Sequence, residues 1–220
     1  MLALATCERL PLADGSVDFI WTDPPYLRSF IPVYGWLATE AKRILKPGGF
    51  IIAMCGGLHL NRIMRMFDDA GLDWFFEFQQ QSNGDAPVVW KHYADQLDYP
   101  IVARCKPILC YSNGPGRPRV GGVMNTFEAT HGWSKQWHHW GQDVASARYY
   151  IDYFSAEGDL VCDPFVGGGT TMVACKLIKR RCIGFDIDPA ALRTSQARLA
   201  NADIYHQLPM FADLEVLNVR

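Results

Sequence analysis

The strongest constraint on how this chain folds is a nine-residue string, Asp163-Pro164-Phe165-Val166-Gly167-Gly168-Gly169-Thr170-Thr171, set between a short apolar run and an amphipathic one. Leu160-Val161-Cys162 reads as a buried strand, while Met172, Val173, Cys175, Leu177 and Ile178 recur at helical spacing. Strand, glycine turn and helix in that order open a parallel crossover unit, whose helix must pack on one face of a sheet. The unit closes with Cys182-Ile183-Gly184-Phe185, a second apolar strand ending in Asp186. Asp188-Pro189 then starts a further helix through Leu192 and Leu199, with the aspartate as cap and the proline in the first turn.

The amino-terminal half has the same rhythm. Val17-Asp18-Phe19-Ile20-Trp21 is a mostly apolar run that ends at Thr22-Asp23-Pro24-Pro25-Tyr26, as a buried parallel strand would deliver functional groups at its carboxyl end. Leu37, Ala41, Ile44 and Leu45 follow at helical spacing, closed by the stop signals of Lys46-Pro47-Gly48-Gly49, and Phe50 to Cys55 form the next apolar strand. Leu60, Ile63, Met64, Phe67 and Ala70 predict a helix stopped by Gly71, after which Leu72, Trp74, Phe76 and Phe78 alternate as a strand with one wetter face. Val144, Ala147, Ile151 and Phe154 predict one more helix, with Gly158 as its stop. The expected fold class is therefore α/β, a doubly wound sheet in a single domain spanning residues 1–220. Residues 79–142 lose the rhythm: turn chemistry at Ser82-Asn83-Gly84-Asp85, Asn113-Gly114-Pro115-Gly116 and Gly121-Gly122 surrounds one convincing strand, Pro107 to Tyr111. That stretch reads as a small inserted specificity region within the domain, not a second core.

Composition removes several functional classes. With 220 residues, 20% of them charged, the chain can bury one sizeable core. No apolar run approaches the ~18–20 residues of a membrane helix, and Met1 to Ala5 is too short for a signal peptide, so the expected location is the cytoplasm. Seven scattered cysteines lack the paired spacing zinc requires; free thiols and no metal are expected. A net charge of −2 is not that of a whole-surface nucleic-acid binder. A local basic patch is present instead, where Arg104, Lys106, Arg117, Arg119 and Lys135 stand against the lone Glu128.

Two motifs carry chemistry. Pockets in doubly wound sheets form at the carboxyl ends of strands, where the following helix presents unpaired amides. There Gly167 and Gly169 let the backbone approach a ligand, and Asp186 is placed to accept hydrogen bonds from ribose hydroxyls. The third glycine of a dinucleotide fingerprint would fall at Met172, and no lysine follows the glycines as a P-loop needs. A purely structural turn is the alternative. The Asp23-Pro24-Pro25-Tyr26 string suits an exocyclic amino group, whose lone pair is delocalised into its ring. Asp23 and the Pro24 carbonyl can each accept one N–H bond, drawing the nitrogen toward tetrahedral geometry. Two prolines preorganise those acceptors, and Tyr26 offers a stacking face. A proline turn after a strand is the bland alternative.

With both motifs in one chain, residues 9–200 resemble the S-adenosylmethionine-dependent amino methyltransferases of DNA, with their Rossmann-like methyltransferase sheet. The Asp23 motif preceding the Asp163 motif resembles the permuted beta group of N6-adenine and N4-cytosine enzymes. The resemblance implies that Asp23, Pro24, Pro25 and Tyr26 form the catalytic grip on a flipped base. It implies that Asp163, Phe165, Gly167, Gly169 and Thr170 line S-adenosyl-L-methionine, with Asp186 on its ribose. His139-Trp140-Gly141-Gln142 matches the family's His-x-x-Gln element, which places His139 and Gln142 at the cofactor's methionine end. Asp143 and Val144 replace the usual lysine and proline, and Thr6 stands where many relatives have an aspartate facing the adenine ring.

The expected substrate is double-stranded DNA, read by residues near 80–140. Arg117 and Arg119 read as phosphate contacts on a loop, with a solvated turn as the alternative. Lys135 lies in Gly132 to Trp140, an aromatic and basic run that suits an extruded nucleotide or a lid over the cofactor. Aspartate at the head of the motif favours adenine N6 over cytosine N4, where relatives more often show serine. RNA or protein amide methylation and an inactive DNA-binding accessory subunit are the rival readings. A homodimer and a cognate restriction endonuclease are the further partners the resemblance suggests.

Overall fold

The computed structural model describes residues 1–82, 105–119, 121–129 and 144–202. Among these residues, thirteen elements run in chain order: β1 (Leu2–Leu4), β2 (Val17–Thr22), α1 (Ile31–Ile44), β3 (Leu45–Met54), α2 (Leu60–Asp69), β4 (Asp73–Ser82), β5 (Cys105–Ser112), β6 (Thr126–Ala129), α3 (Val144–Phe154), β7 (Leu160–Asp163), α4 (Thr170–Leu177), β8 (Arg181–Asp186) and α5 (Pro189–Ala200). Single turns of 3-10 helix precede α1 and α2.

The strands form one mixed sheet of eight, ordered β1-β8-β7-β2-β3-β5-β4-β6. β1, β8, β7, β2 and β3 are parallel, β5 is antiparallel to both neighbours, and β6 pairs parallel with β4. This is the doubly wound arrangement expected, because the apolar runs are buried on both faces. One face carries Phe19, Trp21, Ile52, Ile108 and Val161 against α3 and α4. The other carries Ile20, Ile51, Leu109 and Cys162 against α1 and α2. Aromatic packing seals the first face: Trp21 stacks on Tyr150 at 5.4 Å, and Phe19 on Phe154 at 5.8 Å.

Three details differ from the sequence reading. Within 79–142, Pro107 to Tyr111 falls in β5, which lies between β3 and β4, and β6 is a second strand, its Phe127 buried in the core. The turn-rich composition hides β6 because four residues are too few for a periodic signal. In β4, a register irregularity between Trp74 and Phe76 breaks the alternation, leaving Trp74 and Phe76 exposed while Phe78 is buried. Helix α1 stops at Ile44, and Leu45 already pairs with Val17 as the first residue of β3. All seven cysteines are free thiols. No described helix is long and apolar enough to cross a membrane.

Candidate active site at the sheet's switch point

The crossover from β7 runs through α4 on one face to β8, while that from β2 runs through α1 on the other face to β3. β7 and β2 are parallel neighbours, with Phe19 beside Val161 and Ile20 beside Cys162. The winding therefore reverses between them, and a crevice opens beyond their carboxyl ends. Both sequence motifs emerge there, the Asp23 loop from β2 and the glycine turn from β7.

A buried hydrogen bond joins the two. Thr22 Oγ1 donates to Asp163 Oδ1 at 2.8 Å, and the same oxygen accepts the Phe165 amide at 3.0 Å. The other carboxylate oxygen accepts the Thr171 hydroxyl, at the start of α4. Asp163 thus closes the turn on itself. Burial is the largest influence on its acidity and pushes its pKa up to about 6, although the Thr171, Thr22 and Phe165 donors pull the other way.

The turn is held from beneath by α5. Gly169, at φ +80°, caps α4 in a left-handed conformation, and a Cβ there would lie 2.9 Å from Ser195 Cα. The Ser195 hydroxyl donates to the Gly167 carbonyl at 2.7 Å. The buried Arg198 guanidinium donates to the Gly168 carbonyl at 3.2 Å and to Thr170 Oγ1 at 3.0 Å. Asp186, ending β8, accepts the Gly167 amide at 2.9 Å on one oxygen and the Asp188 amide at 2.9 Å on the other. Each oxygen keeps a further lone pair for an outside donor. Next to it, Ile187 leaves 69% of its surface exposed, an apolar face at the rim of the crevice. Thr6, just beyond β1, is exposed on the far side of β8's end, where the Ala5 amide donates to the Asp186 carbonyl at 3.2 Å.

On the β2 side, Pro24 is buried and Tyr26 packs its ring against the aromatic face of the core. Asp23 is 18% exposed and meets Lys106 of β5, whose Nζ lies 3.3 and 3.2 Å from the two carboxylate oxygens. The ammonium also lies 3.4 Å from Met54 Sδ and 4.8 Å from the centre of the Tyr26 ring. Burial drives the Lys106 pKa below the ordinary lysine value, and the Asp23 charge opposes that shift.

The structure thus brings Asp23, Pro24, Pro25 and Tyr26 together with Asp163, Phe165, Gly167, Gly169, Thr170 and Asp186 around one crevice. It does not bring Arg117 and Arg119 there. Both are exposed in the segment after β5, and Arg119 pairs with Asp159 at 3.0 Å, just before β7, at the opposite end of the parallel strands. The basic patch read along the sequence is therefore dispersed, since Lys106 is buried against Asp23 and Arg119 faces away. His139, Gln142 and Lys135 lie outside the described residues, as does Arg104. Sequence reading missed Lys106 as a site residue, because a lysine within an apolar strand looks like one more surface charge until its cross-strand neighbours are known. Thr22, Ser195 and Arg198 were missed as supports of the turn. Among the described residues, no group of three or more His, Cys, Asp or Glu side chains could hold a metal ion.

DNA methyltransferases of known structure share this fold. The fold superposes on M1.HpyAVI, solved as its SAM complex, with a TM-score of 0.71 at 21% identity, covering 90% of this chain and 98% of that one. It also superposes on the PvuII DNA methyltransferase (cytosine-N4-specific), with a TM-score of 0.73 at 15% identity, covering 94% and 91%. In sequence, residues 89–197 match the family model N6_N4_Mtase, DNA methylase. The chain is 28% identical over 201 residues to YubD of Escherichia coli (strain K12), covering 84% of this chain and 82% of that protein. It is 27% identical over 224 residues to the Type II methyltransferase M.HpaI of Haemophilus parainfluenzae, covering 86% and 69%. The chain resembles the N6/N4 family of SAM-dependent DNA amino methyltransferases, and the family match and these relatives support that reading.

Proposed function

We propose that this chain methylates the N6 amino group of adenine in double-stranded DNA, with S-adenosyl-L-methionine as the methyl donor. The observation that carries the reading is the convergence of the Asp23 loop and the Asp163 glycine turn on one crevice, tied by the Thr22 to Asp163 hydrogen bond.

The residues around the turn fit the donor. Asp186 has acceptor capacity for two ribose hydroxyls, Ile187 offers an apolar face to the adenine ring, and Phe165 lies half-exposed on the turn. Gly167 keeps the backbone free of a side chain there, and Gly169 lets the turn close against Ser195. When bound, S-adenosylmethionine supplies an electrophilic methyl group on a sulfonium. The chain's own part is to bring a flipped base to it. Asp23 and the Pro24 carbonyl accept the two N–H bonds of the target amino group, which localises its lone pair and aims it at the methyl. Tyr26 stacks on the base and replaces the neighbours it leaves in the duplex. His139 and Gln142 are assigned to the donor's methionine end by family resemblance. The aspartate heading the motif supports adenine over cytosine.

The test is transfer of labelled methyl from S-adenosylmethionine to mixed-sequence duplex DNA, followed by digestion to nucleosides and mass identification. N6-methyladenine, lost on Asp23→Ala with cofactor binding retained, is the expected result. N4-methylcytosine alone overturns the choice of base. No transfer to DNA, despite measurable cofactor binding, overturns the substrate.

A further inference from the structure

If Asp23 accepts the target amino group, two buried polar side chains beside it have no part in that reading. One is Lys106, 4% exposed, on a face of β5 whose next members are the apolar Ile108 and Cys110. A buried ammonium costs several kcal/mol unless it is paired, so nothing in the packing of β5 favours it there. The other is Gln80 of β4, 7% exposed, whose Oε1 is buried and has no hydrogen-bond partner among the described residues. The two are direct cross-strand neighbours, Gln80 opposite Lys106, with their side chains on the same face of the sheet. Such pairs have Cβ atoms about 4.5–5.5 Å apart, well within reach of a lysine stem.

The position of the ammonium is informative. It donates to both Asp23 oxygens and lies over the Tyr26 ring. A nitrogen donor on Asp23 beside the Tyr26 face is also what a target amino group would present. Asp23 has lone pairs to spare, but the ammonium lies over the Tyr26 face on which the base would stack. For a base to enter, the ammonium moves aside, and away from Asp23 it needs another acceptor. Gln80 Oε1 is a vacant one. We infer that Lys106 is a positioning residue that holds Asp23 in the base-free site and yields it to the target amino group by moving its ammonium to Gln80. The exchange keeps the lysine partnered throughout. It also takes a like charge away from the nitrogen that becomes cationic on accepting the methyl.

This inference rests on the proposed function, and the test separates the two. Single-turnover methyl transfer to duplex DNA is measured for the wild type and for Lys106→Met, Lys106→Arg, Gln80→Leu, Asp23→Asn and the Asp23→Asn/Lys106→Met double variant. Dissociation of S-adenosylmethionine is measured in parallel. Lys106→Met is expected to slow transfer about tenfold or more while cofactor affinity stays within about twofold, and Lys106→Arg to recover most of the rate. In the Asp23→Asn background the same change should cost less than about twofold, because a residue acting through Asp23 has nothing left to position. Gln80→Leu should slow transfer with Lys106 present and add nothing once it is methionine, which is testable through the matching double variant.

Equal, additive losses in the two backgrounds overturn the inference while leaving Asp23 in its role. Should Lys106→Met fail to fold, Lys106→Arg and Gln80→Leu decide: wild-type rates in Gln80→Leu overturn the handover. A wild type that transfers no methyl to DNA overturns the functional reading, and this inference with it.

Discussion

Thr22 and Asp163, 141 residues apart in the chain, share a buried 2.8 Å hydrogen bond that ties the end of β2 to the end of β7. Each residue stands at the root of one motif. Thr22 immediately precedes Asp23, and Asp163 opens the glycine turn. The bond therefore fixes the loop proposed to hold the base relative to the loop proposed to hold the cofactor. Thr22→Val keeps the shape and removes the donor, leaving one oxygen of a buried carboxylate less well served. We expect a stability loss of about 1–3 kcal/mol in urea unfolding. Methyl transfer should fall by more than cofactor affinity, since the turn itself is still closed by Thr171 and Phe165. Equal losses in both would mean that Thr22 supports the turn alone.

Asp163 also gives stability a pH dependence. Its folded pKa of about 6 lies above the ordinary value of 3.8, so between those values the native state holds a proton that the unfolded chain has released. Stability from this group is full at low pH, falls as pH rises from about 4 to about 6, and is flat above. Asp163→Asn removes that falling segment. Urea midpoints at pH 4.5 and pH 7.5 should move in the variant's favour, relative to wild type, as pH rises. The opposite trend would mean that the three donors overcome burial and hold the carboxylate ionised.

Gly169→Ala tests the support of the turn by α5. The new methyl would lie 2.9 Å from backbone of Ser195, at a φ of +80° that L residues rarely adopt. The left-handed conformation alone costs about 1 kcal/mol or more, and the clash must shift either the turn or α5. Calorimetry should find S-adenosylmethionine binding lost or weakened at least about tenfold, a change of ~1.4 kcal/mol. Unchanged binding would show that the turn tolerates the displacement and that Gly169 serves only the fold.

Much of this was legible in the sequence, for a physical reason. In a doubly wound sheet, strands buried on both faces read as short apolar runs, and functional loops must follow their carboxyl ends. The Val17 and Leu160 runs therefore point to Asp23 and the glycine turn. Asp188 likewise caps α5 as its sequence suggests, its Oδ1 accepting the Ala190 amide at 2.8 Å. What could not be read were relations across strands. Lys106 meets Asp23 only because β5 runs antiparallel beside β3, and Arg119 faces away because the chain has by then returned to the other end of the sheet. Charge along the sequence joined these two into one patch, whereas topology separates them. The three-residue β1 at the opposite edge gave no periodic signal at all.

Glu40 makes the strongest structural claim outside the crevice. It is buried in α1, accepts the Leu10 amide at 2.9 Å and takes two donors from Arg43 at 3.0 and 2.6 Å. Arg43 also reaches the carbonyls of Leu12, at 2.7 Å, and Leu10, at 3.0 Å. Burial alone would raise the Glu40 pKa, but these donors and the Arg43 charge bring it below the ordinary value. Arg43→Met leaves the buried carboxylate with the Leu10 amide and only the exposed Arg9, 3.6 Å away, as counter-ion, and frees the segment leading into β2. The expected loss is about 3 kcal/mol. Glu40→Gln/Arg43→Met should recover part of it, and a double variant no more stable than Arg43→Met would show that Arg43 acts through the two carbonyls instead.

The placement of Arg119 leads to a prediction about DNA. A side chain contacting a phosphate contributes about one unit to the slope of log affinity against log salt. Arg119 donates to Asp159 at the end of the sheet away from Asp23, in a half-exposed pair of little energetic weight. Arg119→Ala is therefore expected to leave both the methyl-transfer rate and the salt slope of duplex binding unchanged, with a stability change below about 1 kcal/mol. A slope reduced by about one would place DNA against the far end of the strands, and would require the duplex to wrap an edge of the sheet to reach Asp23 as well.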